Sequence, residues 1–218
     1  MLLGVLFGGV VLLLALAQLL LPRIAASVIS SRVARYGTVE SVKVKAWPAI
    51  ELLWGSVDSV RVTARSLRLS PEQAAALLWE ARRTASMDVT AASVQVGPLR
   101  LSDARLRKRG GALSGEGLAS ATDVRAALPP GFDVQLVGSA GGKVKVRASG
   151  GLFGVGASVG AVGEASDGKL IAHPLGLLLS GFRQTLFSDA HVYVEGVGAS
   201  VESERPLVYR LTMSASLR

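Results

Sequence analysis

From Ser41 onward apolar residues keep returning at every second position, and that period is the strongest constraint on the fold. Ser41-Val42-Lys43-Val44-Lys45-Ala46, Ser59-Val60-Arg61-Val62-Thr63-Ala64 and Lys143-Val144-Lys145-Val146-Arg147-Ala148 share one pattern, with valine on one side and mostly cationic or hydroxyl groups on the other. Successive side chains of a strand point to opposite faces, so the pattern reads as half-buried antiparallel strands. Leu207, Tyr209, Leu211, Met213, Ala215 and Leu217 form the cleanest alternation of all. Further strands are expected over 89–96, 99–106, 132–137, 153–162, 170–173 and 191–201, divided by glycine- and proline-containing turns.

The apolar phase slips inside strands. Val60, Val62 and Ala64 are even-numbered but Leu67 and Leu69 odd, and Leu99 and Leu101 give way to Ala104 and Leu106. A one-residue slip sends side chains to the other face, so each slip implies a bulge or bend. Together with Gly154, Gly156 and Gly160 on one strand face, the slips predict a strongly curled sheet. Two helices interrupt it. Ser70-Pro71-Glu72-Gln73 places a hydroxyl at the N-cap, proline at N1 and glutamine at N3, ahead of an apolar stripe of Ala74, Leu77, Leu78 and Ala81. Ser120-Ala121-Thr122-Asp123 repeats this capping more weakly and is stopped by Pro129-Pro130-Gly131. The expected class is α+β, mostly β: a curled antiparallel sheet wrapping one or two helices.

Ahead of the strands, residues 1–21 hold one polar side chain, Gln18, and no charge. At about 1.5 Å per residue a helix there spans roughly the ~30 Å of bilayer hydrocarbon, so residues 1–22 are expected to be a transmembrane anchor or signal helix. Ala15-Leu16-Ala17 imitates a cleavage site, but no basic residue leads the run and it resumes at Leu19, which favours an uncleaved anchor. Pro22 is expected to interrupt or kink the helix. Residues 23–36 then read as an amphipathic connecting helix with Ile24, Val28, Ile29 and Val33 on its apolar side, lying in the headgroup plane or packing on the domain. Residues 37–218 form the β-rich domain. Arg23, Arg32 and Arg35 follow the apolar run, and the positive-inside tendency alone would place that domain in the cytoplasm.

Lys and Arg number 24 against 16 acidic residues, a net charge of +8. Such a surface suits an anionic partner. Aromatics make up 5% of the chain and no basic run is interleaved with them, so base-stacking platforms are poorly supplied and a membrane is favoured over nucleic acid. The lack of cysteine removes disulfides, thiol nucleophiles and thiolate metal sites.

Catalytic signals are weak. Gly156-Ala157-Ser158-Val159-Gly160 matches the G-x-S-x-G elbow of serine hydrolases, which needs a helix straight after the serine, whereas here the alternation runs on through Val162. His173 and His191 fall in separate strands, and the pair His191 and Glu195 lacks a third metal ligand. Asp58, Asp123 and Asp133 sit at turns or helix starts, where they satisfy backbone donors. No enzyme activity, cofactor or metal is expected.

The stretch Trp47-Pro48-Ala49-Ile50-Glu51-Leu52-Leu53-Trp54 differs from its surroundings. It sets two of the three tryptophans between two cationic strands, and tryptophan is at home where lipid meets water. A short lid packed on the sheet and a membrane-facing lip both fit it. This block from Ser41 to Leu67, followed by VGPLRLSDARLRKRG at Val96 to Gly110, resembles the LmeA-like phospholipid-binding family of actinobacterial cell envelopes. The resemblance covers most of the chain from about Ala25 onward. It implies a membrane-associated protein on the extracytoplasmic side, single-pass or secreted, binding phospholipid such as phosphatidylinositol, with a role in one branch in lipoglycan assembly. It also suggests a tubular lipid-binding architecture; it carries no catalytic motif and names no protein partner.

On this reading Trp47, Ile50, Leu53, Trp54, Val60, Val62, Leu77 and Leu78 are expected to line the lipid. Lys43, Lys45, Arg61, Arg65, Lys143, Lys145 and Arg147 are expected to face an anionic headgroup or membrane. The rival is a structural domain filled by its own side chains that recruits another envelope protein.

Overall fold

Twelve strands carry the alternating segments in a computed structural model that describes residues 18, 20–47, 57–127, 132–152, 155–175 and 183–218. In chain order they are β1 (Gly37–Lys45), β2 (Val57–Leu69), β3 (Thr84–Val96), β4 (Leu99–Arg109), β5 (Ala112–Ser120), β6 (Phe132–Ala140), β7 (Lys143–Leu152), β8 (Val155–Ser166), β9 (Lys169–Leu175), β10 (Gln184–Phe187), β11 (Val192–Glu204) and β12 (Leu207–Leu217). The first sheet runs β1-β2-β3-β4-β5-β12-β11 and the second β10-β9-β8-β7-β6. The helices are α1 over residues 20–33, α2 (Pro71–Glu80) and α3 (Ala121–Ala126).

The expected single, strongly curled sheet is therefore corrected to two sheets, neither strongly curled. The phase slips are real but are absorbed locally. The ladder shifts between Ser102 and Arg105, where Asp103 takes a φ of 49°, and again at Val39, Leu136–Gly138, Val194–Gly196 and Val201–Ser203. A bulge of this kind turns one strand without rolling the sheet. Of the three strand glycines read as promoting curl, Gly154 lies outside the described residues. Pairing is antiparallel except for β2 and β3, which are parallel and joined through α2. A parallel pair needs a crossover, and the capped helix supplies it.

The second sheet ends on the first. The β6–β7 turn and the β8–β9 turn meet the outer edge of β11: Val197 N donates to Gly142 O at 3.1 Å and Val194 N to Gly168 O at 2.9 Å. Ser139 Oγ accepts from Ala199 N at 3.1 Å. Three outward donors of this edge strand are thereby satisfied. Gly168, at φ 75°, lies against the Tyr193 ring, where a Cβ would stand 2.2 Å from the ring's Cδ2, so no other residue fits this corner.

One face of the first sheet holds the core. Val44, Val60, Val62, Met87, Leu113, Val192 and Ala215 are buried there with Ala75 and Leu78 of α2, and Ala25, Ala26, Ile29 and Val33 of α1 pack over them. Ser70 caps α2 as expected, its Oγ accepting from Gln73 N while Gln73 Oε1 accepts from Ser70 N at 2.9 Å. The α2 stripe is rotated by one residue from the expectation, with Ala75 buried in place of Ala74 and Leu77 only half-buried. Residues 20–33 stay helical through Pro22, so of the two expected effects of the proline an interruption does not occur. Proline costs a helix one backbone bond, and the core contacts of α1 lie on its C-terminal side.

Lys108 is the one charged side chain buried in this core among the described residues. Its Nζ donates to Thr84 O and, at 3.3 Å, to Arg82 O, two carbonyls at the end of the turn that follows α2. No carboxylate pairs with it among the described residues, and burial pushes its pKa below the ordinary lysine value.

Candidate functional site

The expected cations divide between the two sheets. Strand alternation turns Lys43, Lys45, Arg61 and Arg65 to the exposed side of the first sheet, opposite the core, and Lys143, Lys145 and Arg147 are exposed on β7. Arg65 pairs with Glu40 at 3.3 Å and Lys143 with Glu164. Among the described residues Lys43, Lys45 and Arg61 have no ion-pair partner. Register extends their row: Lys43 lies beside Arg61, Arg61 beside Asp88, and Asp88 beside Arg107. Arg105, Arg107 and Arg109 of β4 thus join the cationic face, although only the β1 and β2 members are expected from sequence. Their alternation in Arg105-Leu106-Arg107-Lys108-Arg109 is the signal that could have found them.

Three of the expected apolar residues share the core cluster of the first sheet. Val60, Val62 and Leu78 are packed by other side chains within the core, Leu77 is half-buried, and Ile50, Leu53 and Trp54 lie outside the described residues. Trp47 is 76% exposed, its amide donating to Asp58 Oδ2 at 2.7 Å. Gln18 Nε2 donates to Ala46 O at 3.3 Å, which brings the start of α1 to the same corner. On α1 the expected stripe splits: Ile29 and Val33 face the core, whereas Ile24 and Val28 join Leu20 in an outward row, each more than half exposed. Among the described residues no helix is long and apolar enough to cross a membrane, and the run 1–17 that carries the anchor expectation lies outside them.

An apolar surface that sequence reasoning leaves unassigned lies on the second sheet. Register places Val134, Ala148 and Val159 in one row and Leu136, Val146 and Ala161 in the next, with Val144 beyond. All seven side chains are half-buried and none is fully covered, while Val162 and Ile171 on the opposite face are buried. The core side of the first sheet is also only half covered at its other end, at Leu99, Leu101, Ala104, Leu211 and Met213. Gly117 adds room there, since its missing Cβ would stand 3.3 Å from the Leu101 side chain.

Chemistry finds little purchase. Ser158 is an exposed residue within β8, which continues as strand to Ser166 where an elbow would turn into a helix. His173 Nε2 lies 3.2 Å from Glu164, whose carboxyl is held below its usual range mainly by its hydrogen bond to Lys143 and then by His173. His191 stacks on Trp79 with ring centroids 4.1 Å apart and lies 3.5 Å from Asp189. No group of three His, Asp or Glu side chains among the described residues could hold a metal ion.

Residues 14–205 match the model of a family described as LmeA-like phospholipid-binding. No curated protein and no solved structure matches the sequence.

Proposed function

The chain belongs to the LmeA-like phospholipid-binding family, and from that premise we propose that it is a non-enzymatic carrier or presenter of phospholipid, tethered at the extracytoplasmic side of a membrane by its N-terminal segment. The acyl chains lie on the apolar face of β6, β7 and β8. The observation that carries this reading is the half-covered row of Val134, Leu136, Val144, Val146, Ala148, Val159 and Ala161. Leaving apolar area open to water forgoes about 25 cal/mol per Å², and a lipid tail recovers it without any catalytic group. The unpaired Lys43, Lys45 and Arg61 suit anionic headgroups, each contributing roughly 1 kcal/mol near such a surface. Native mass spectrometry of the full chain after exchange into lipid-free detergent is expected to show phospholipid retained on the folded protein. Bare protein that also fails to take up added phospholipid overturns the proposal.

The same reading sets which end meets the bilayer. Leu20, Ile24 and Val28 continue the apolar N-terminal run along the outside of α1, and exposed Trp47 follows Ala46, whose carbonyl Gln18 holds. In vesicles, a chain keeping Trp47 alone through Trp54→Phe and Trp79→Phe is expected to be quenched by brominated phospholipid about as strongly as an interfacial tryptophan. Quenching no greater than that of a water-exposed tryptophan places the bilayer elsewhere.

A further inference from the structure

The geometry points to a second, polar site on the face of the first sheet opposite its core: a phosphate-bearing, hydroxyl-rich ligand, a polyol or sugar phosphate, lies across β4, β5, β12 and β11. It is independent of the apolar surface of the second sheet.

Two adjacent rows build it. Arg105 lies beside Glu116, Glu116 beside Thr212 and Thr212 beside Gly198; in the next row Arg107 lies beside Ser114, Ser114 beside Ser214 and Ser214 beside Gly196. The docked β6–β7 turn, Ser139 to Gly142, walls one end and encloses with these rows a concavity of about 450 Å³. That size lies in the range of small-molecule sites, and four strands at about 4.8 Å spacing make the groove roughly 14 Å across.

The chemistry is graded along the groove. Guanidinium groups stand at the β4 end, where Glu116 is shared between Arg105 at 3.8 Å and Arg210 at 3.7 Å while Arg107 has no protein partner among the described residues. A free guanidinium presents the planar donor fork that fits phosphate oxygens. The hydroxyls of Ser114, Thr212 and Ser214 come next, likewise without protein partners among the described residues, each able to donate and to accept as a sugar hydroxyl requires. Glycines hold the β11 end open. A Cβ on Gly198 would stand 2.5 Å from Thr212 Oγ1 and one on Gly196 3.2 Å from Ser214 Oγ, so side chains there would displace the hydroxyls that form the floor. Gly196 also lets the β6–β7 turn dock, its Cβ position lying 3.4 Å from Gly142 Cα, whereas that of Gly198 meets only the side chains of Thr212 and Ser139.

The phosphate could arrive on a free sugar phosphate or on a lipid headgroup, and calorimetry of the full chain in uncharged detergent separates the two. One arm titrates glucose 6-phosphate, with inorganic phosphate and glucose as controls; the other titrates short-chain phosphatidylglycerol against short-chain phosphatidylcholine. Arg107→Gln is expected to weaken the bound species about tenfold and Thr212→Val about threefold, the losses of one charged and one neutral hydrogen bond. Both variants should keep the parent melting temperature, and because the acyl chains are assigned to β6, β7 and β8, failure here leaves the lipid-carrier reading standing. Arg107-dependent binding of glucose 6-phosphate identifies a soluble ligand, and Arg107-dependent preference for phosphatidylglycerol alone identifies a headgroup. No saturable binding in either arm, affinities equal in Arg107→Gln and parent, or saturable glucose 6-phosphate binding no tighter than that of inorganic phosphate overturns the proposal.

Discussion

Lys108→Ala lowers the stability of the fold by about 3 kcal/mol, and Lys108→Met by about 1 kcal/mol, in urea unfolding at neutral pH. Alanine leaves a hole beside the turn that follows α2 and strips Arg82 O and Thr84 O of their donor. Methionine fills the space and removes the cost of burying an ammonium without a counter-charge, which offsets part of the loss. The sign of the pH dependence follows from the depressed pKa. Between the folded value and the unfolded value near ~10.4 the unfolded chain binds more protons, so stability rises with pH across that alkaline window; below it the full burial cost is carried. Lys108→Met should lose this rise. Variants within about 0.5 kcal/mol of the parent, with the alkaline rise intact, would show that Lys108 carries no such weight.

Charge on the apolar face of the second sheet should cost function and spare the fold. In a chain bearing Val146→Asp and Ala161→Asp, retained phospholipid falls at least about tenfold, because a carboxylate against an acyl chain costs far more than the ~1.4 kcal/mol that tenfold represents. These positions pair directly across β7 and β8 and are already half open to water, so the melting temperature should move by only a few degrees, roughly what surface substitutions produce. Undiminished phospholipid on the doubly charged protein would move the lipid to another surface.

How far the sequence discloses this molecule depends on which signal each part leaves. Period-two alternation marks most strands, and the cap at Ser70 marks α2, because both are local. β5 escapes notice because Gly115 and Gly117 stand at its inward positions and erase the apolar half of its pattern. The parallel pairing of β2 with β3 escapes because α2 looks like an interruption, although a capped helix between two strands is what a crossover looks like. Lys108 is the instructive case. In Arg105-Leu106-Arg107-Lys108-Arg109 it resembles one more solvated cation, yet the slip at Asp103 already places even positions inside from Ala104 onward, so Lys108 follows Leu106 into the core. The cationic groove of β4, β5, β12 and β11 is hidden for another reason: its members are about a hundred residues apart, and only register brings them together.

The position of β12 between β5 and β11 has a consequence for biosynthesis. Until Leu207–Leu217 leaves the ribosome or translocon, β5 and β11 are two raw borders with nothing between them, and the second sheet has no finished edge to rest against. Closure is a late, long-range event of the kind that makes folding slow and leaves nascent chains sticky. A chaperone that shields those borders would act on this protein before any lipid does.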